Sequence, residues 1–167
     1  EKKPAADEEK KPADEEKKPG DEEKKPAEEP MVKTKEMVIN LDNPSGLAIH
    51  PETGHVFIAS NDGVHRFIPG ELPLKCPLEV SDFPTDVYGK GPKYNISALG
   101  LAFLDDEHLV VGDGSLPDGE EVVRVYKVAE KHPGKYQKAK DDAVHTVGPI
   151  AAGETSVKGE GNYYGVA

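Results

Sequence analysis

The chain has 167 residues, 32% of them charged and 35% hydrophobic, with a formal net charge of −11. That composition is too polar for one uniformly packed globule, so part of the chain is expected to lack a core. The charge is −4 over residues 1–30 and −7 over the rest, with no basic stripe anywhere, which argues against a nucleic-acid partner.

Residues 1–30 repeat Glu-Lys-Lys-Pro followed by small and acidic residues, with a period near seven. The period suggests a coiled coil, but nothing larger than Ala is there to fill a seam. Pro4, Pro12, Pro19 and Pro26 each remove an amide donor and break a helix. The sequence therefore predicts a disordered polyampholyte tether over residues 1–33 and a folded region over 34–167. Lys and Glu alternate too evenly for a polybasic membrane patch. No apolar run approaches the roughly 18–20 residues of a membrane span. The chain opens on Glu1, as a mature exported protein does after loss of its signal, so the expected location is extracytoplasmic: periplasmic, secreted or at the cell surface. Cys76 is the single cysteine, which leaves no internal disulfide and no Cys-x-x-Cys motif.

Beyond Pro30, Lys35–Leu41 is a β-rich run closed by Asp42-Asn43-Pro44. The runs 46–50, 55–60 and 64–68 follow, separated by Pro51-Glu52-Thr53-Gly54 and Asn61-Asp62-Gly63, and predict an antiparallel meander. In the second turn Gly63 can supply the positive φ of a tight hairpin. A second meander is predicted from runs at 97–104, 108–112 and 120–128, with a turn at 105–107 and a longer loop at 113–119. The opening phrase Asn43-Pro-Ser-Gly-Leu-Ala48 returns around Gly100 and again at Asn162-Tyr-Tyr-Gly-Val-Ala167, so units begin near 46, 100 and 165. The spacings of 54 and 65 residues leave Pro69–Asn95 and Ala129–Asn162 as insertions. No segment keeps a helical period, and the predicted class is all-β.

Gly46-Leu-Ala-Ile-His-Pro-Glu-Thr-Gly-His-Val-Phe-Ile-Ala-Ser60 resembles a β-propeller blade of the NHL-repeat or gluconolactonase-like kind, and residues 100–114 resemble a second. The resemblance implies two blades and the first strand of a third, with small Gly and Ala where inner strands crowd the axis. A six-bladed ring implies further blades from the same longer chain; a complete small β-sandwich is the alternative. The resemblance also implies a lactonase-type hydrolase with a divalent cation, calcium by its oxygen ligands, at the channel mouth. Ser45, Leu99 and Tyr164 stand where the family commonly has an Asn, which departs from that ligand set, while Asp113 stands where its catalytic Asp is expected.

Among other candidates, Asp113, Asp118, Glu120 and Glu121 form an acidic loop that could hold calcium, without EF-hand spacing. His50 and His55 flank a turn and could face one another, but no third zinc ligand is evident. Tyr88, Tyr94, Tyr163 and Tyr164 lie just before or beside the inner-strand starts and, with Asn43 and Asn162, are candidates to line a ligand site, with half-buried packing the favoured alternative for the tyrosines. The sequence favours a non-catalytic module binding protein or carbohydrate. The competing reading is a propeller enzyme, a lactonase or a quinone-dependent sugar dehydrogenase.

Overall fold

The computed structural model describes residues 40–71, 74–89, 91–150 and 162–167, all within the Lys35–Ala167 unit. The expectations for residues 1–33 and for most of Lys35–Leu41 lie outside the described residues. Among the described residues every regular element is a strand, as the sequence predicts.

The first meander consists of β1 (Leu47–Ile49), β2 (Val56–Ser60) and β3 (Gly63–Phe67), joined antiparallel. Turn chemistry fixes its register. Gly54 has φ 68° after β1, and Gly63 has φ 132° after the Asn61-Asp62 turn. At Gly63 a Cβ would also run into the Val80 carbonyl, so glycine answers both to the turn and to the approach of the next strand. That strand, β4 (Leu78–Ser81), pairs with β3 across a register shift at Val64/His65.

The segment Pro69–Asn95, expected to be an insertion, thus supplies the fourth strand of the sheet. It also holds a separate hairpin, β5 (Asp86–Tyr88) with β6 (Tyr94–Ile96). The second sheet follows with β7 (Ala98–Phe103), β8 (His108–Asp113) and β9 (Val123–Lys127). Ala129–Asn162 adds β10 (Gln137–Lys138), which runs parallel beside β4, and β11 (His145–Val147), which pairs with β9. The sheet orders are β1-β2-β3-β4-β10 and β11-β9-β8-β7.

The core lies between these sheets. Phe57, Ala59, Val64 and Val80 from the first pack with Leu101, Leu109, Val111 and Tyr126 from the second, and Ala48 and Phe103 close the edge. Phe57 and Phe103 meet edge to face at 5.1 Å between centroids. Full burial of each such large side chain contributes roughly 1.5–3 kcal/mol. The Tyr126 hydroxyl donates to Ala139 O at 2.6 Å, so a polar atom in the core is satisfied; burial holds that phenol well above the usual range. Strand alternation turns Leu47 and Ile49 away from this core, and each is 61% exposed.

The repeated phrase has a structural counterpart. A Cβ on Gly46 would strike the carbonyl of Leu99, the residue before Gly100. One on Gly100 would strike the carbonyl of Tyr164, the residue before Gly165. Ser45 Oγ donates to Ala98 O at 2.9 Å, and Gly100 N donates to Tyr163 O at 3.0 Å. Each opening phrase therefore lies against the next in the same way, and only a residue without a Cβ fits the contact.

Candidate ligand-binding face

The three opening phrases gather the segments that precede β1, β7 and residues 165–167 at one end of the sheets. Asn43 and Asn162, each three residues ahead of a phrase glycine, have φ 48° and 56°. Asn tolerates this left-handed conformation better than most residues, which gives the repeated Asn a backbone reason that needs no metal. Ser97 holds the corresponding place before Gly100 and has no positive φ. The Asn43 amide donates to Asn95 O at 3.0 Å, tying the first phrase to the hairpin. Asn162 N donates to Glu121 Oε1 and Gly119 N to Glu121 Oε2, both at 3.2 Å. Burial pushes the Glu121 carboxyl up, while these two amides pull it back.

Tyr88 and Tyr94 sit directly opposite one another on the hairpin, with ring centroids 5.6 Å apart and planes at 59°. Burial holds the Tyr164 phenol above its usual range, and the phenols of Tyr94 and Tyr88 add to the rise. Tyr88, Tyr94 and Tyr164 are 53%, 44% and 57% exposed, so none is a core residue. Tyr163 contributes backbone: its carbonyl accepts from Gly100 N and fills the space that a Cβ on Gly112 would need.

Asp113 is at the end of β8 but is fully buried and committed to packing. It pairs with Arg124 on β9 and accepts from both the backbone amide and the hydroxyl of Ser115. Asp118 and Glu120 are exposed in the following loop. Among the described residues no group of three His, Cys, Asp or Glu side chains is arranged to hold a metal ion. His50 and His55 are joined through backbone, His50 N to His55 O at 2.9 Å. The His50 ring turns inward against Phe103 at 5.0 Å, and its Nδ1 accepts from the amides of Glu52 and Thr53.

A concavity lies at the opposite end of β1, where the turn after that strand meets the turn after β7 and residues 127–132. It encloses about 1340 Å³ and includes His50, His55, Glu71, Lys75, Glu107 and His132 in its wall. Behind it Arg66 is completely buried over the Phe57 ring, 4.7 Å from the centroid. Its Nε pairs with Glu79 at 3.0 Å and its Nη2 donates to Ala129 O at 2.8 Å. Burial lowers the Arg66 pKa and raises that of Glu79; each partner opposes the other's shift. Burial likewise lowers His55, with Arg66 and His50 adding to the effect. The cleft thus has a mixed-charge rim, and the buried Arg66 and Glu79 charges are already paired with one another. Sequence patterning gave no sign of it, because its walls come from turns and from positions far apart in the chain.

No protein-family model, curated protein or solved structure matches the chain.

Proposed function

We propose that this chain is a binding module: two blades and the opening of a third in a propeller of the NHL-repeat or gluconolactonase-like kind, displayed outside the cytoplasm on its charged N-terminal segment. It engages a protein or carbohydrate ligand through the end where the inner strands begin. The observation that carries the reading is the tilted pair of Tyr88 and Tyr94, about half exposed on the hairpin that Asn43 ties to the first opening phrase, with Tyr164 of the third phrase exposed to a similar degree. Half-exposed aromatic rings supply large, stiff contact area at low entropy cost. The carboxylate at the catalytic position of the enzyme reading, Asp113, is instead buried in an ion pair with Arg124, which favours binding over hydrolysis.

The test is binding of the full chain to glycan and peptide arrays, alongside a variant with Tyr88→Ser, Tyr94→Ser and Tyr164→Ser combined. Retained signals that disappear in the variant support the proposal. Calcium-dependent hydrolysis of a sugar lactone, lost in Asp113→Asn, would overturn it in favour of the enzyme.

A further inference from the structure

The contact that joins one opening phrase to the next is made twice within the chain and is open on either side. Gly46 lies against the carbonyl of Leu99, and Gly100 against that of Tyr164. Gly165, the third phrase glycine, has nothing within 4 Å of a Cβ built on it. Ser45, which precedes Gly46 as Leu99 precedes Gly100, is exposed, and among the described glycines none faces its carbonyl. The sheet faces repeat this mismatch. Leu101 and Phe103, which follow Gly100, are packed with Ala48 in the core between the sheets. Their counterparts after Gly46 are Leu47 and Ile49, both largely exposed, and strand pairing sets the half-buried Ile58 and Val56 beside them on one face. The counterpart of Ala48 in the third phrase is Ala167, which is also exposed. One side of the array thus presents a phrase glycine and its Ala, and the other presents the carbonyl and aliphatic face that such a pair covers.

We propose that two copies of this chain pair head to tail, the Ser45–Ile49 edge of each docking on the third phrase, Asn162–Ala167, of the other. Gly165 of one copy then faces the Ser45 carbonyl of its partner, and Ala167 comes against Leu47 and Ile49. An apolar peptide covers Leu47 and Ile49 and leaves Gly165 open; a second copy fills both. Each copy gives one such joint and receives one, so two copies close about a twofold axis with no joint left over. Three phrases from each of two chains set six inner strands around one axis, a count that rests on the propeller reading.

Sedimentation velocity of the full chain over a dilution series tests this, in salt high enough to screen the repulsion between two chains of −11. A dimer that dissociates on dilution is expected. Gly165→Ala touches nothing within one copy, but at the joint its Cβ meets the partner's carbonyl. It should therefore weaken the dimer by about ten-fold or more and leave unfolding of the dilute monomer almost unchanged. Leu47→Asp, which puts a charge into the joint, should weaken the dimer at least as much. A monomer at every concentration, species that grow beyond the dimer, or a dimer undiminished in both variants overturns the pair. Should Leu47→Asp fail to fold, Gly165→Ala still decides. A monomeric chain that Gly100→Ala destabilises loses the pair and keeps the propeller reading; a Gly100→Ala variant with no loss of stability removes both.

Discussion

At the scale of single residues, His65 makes a specific claim about pH. Its Nδ1 faces Cys76 O at 3.1 Å and its Nε2 faces Asp62 Oδ1 at 2.9 Å, so both ring nitrogens have acceptors and the imidazolium is the favoured form. The hydrogen bond to Cys76 is the largest contribution and outweighs burial; with Asp62 it pushes the pKa up to about 9. Burial opposes ionisation of Asp62, but hydrogen bonds from Ser60 and His65 overcome it and hold its carboxyl below the usual range. A folded pKa above the unfolded value near 6.5 stabilises fully below that value and is lost as pH rises through the folded one. Urea unfolding should therefore show stability falling between about pH 6.5 and 9, by roughly 1–3 kcal/mol after allowance for the half-exposed Asp62. In His65→Asn that fall should vanish; an unchanged profile would refute the assignment.

The phrase glycines give a second residue-scale contrast. Gly46 and Gly100 each face a backbone carbonyl that cannot swing aside, whereas nothing lies within 4 Å of a Cβ built on Gly165. Gly100→Ala is expected to destabilise by about 1–3 kcal/mol or more, and Gly165→Ala by less than about 0.5 kcal/mol. Thermal unfolding of the two variants checks this, and equal losses would contradict the contact.

At the scale of elements, the ion pair between β3 and β4 is the most exacting feature. Arg66 and Glu79 are 0% and 1% exposed, and each left alone would be a buried unpaired charge. Glu79→Ala should cost about 3–5 kcal/mol, while exchange of both residues for apolar ones of similar volume should cost much less. A double-mutant cycle reads the difference.

The same elements show what the chain made legible. β1 to β3 and β7 to β9 stand out because β-branched and aromatic residues are bounded by Pro-x-x-Gly, Asn-Asp-Gly and Asp-Asp-Glu turns. β4 is flanked by Pro77 and Pro84, and β10 is two residues long and held by its parallel neighbour, so neither has a local signature. β9 starts at Val123 instead of Glu120, because Glu121 is turned to the amides of Gly119 and Asn162. The tyrosines were visible as residues near strand starts. That the backbone of Tyr163 and Tyr164 would come to lie against Gly100 depends on the chain returning to β7 after more than sixty residues, which no short pattern records.

At the scale of the molecule, the two ends of the sheets differ in chemistry. One carries the opening phrases, the two left-handed asparagines and the tyrosines; the other carries the cleft with His55, Lys75 and Glu107. Volume alone would assign function to the cleft. The proposed binding reading places it instead at the opening end, on its exposed aromatic rings. Backbone hydrogen exchange of the full chain with a saturating array-selected ligand separates these two assignments most directly. The account predicts new protection at Tyr88, Tyr94 and Asn162–Tyr164, with residues 50–55 and 127–132 unchanged; protection confined to residues 50–55 and 127–132 would contradict it.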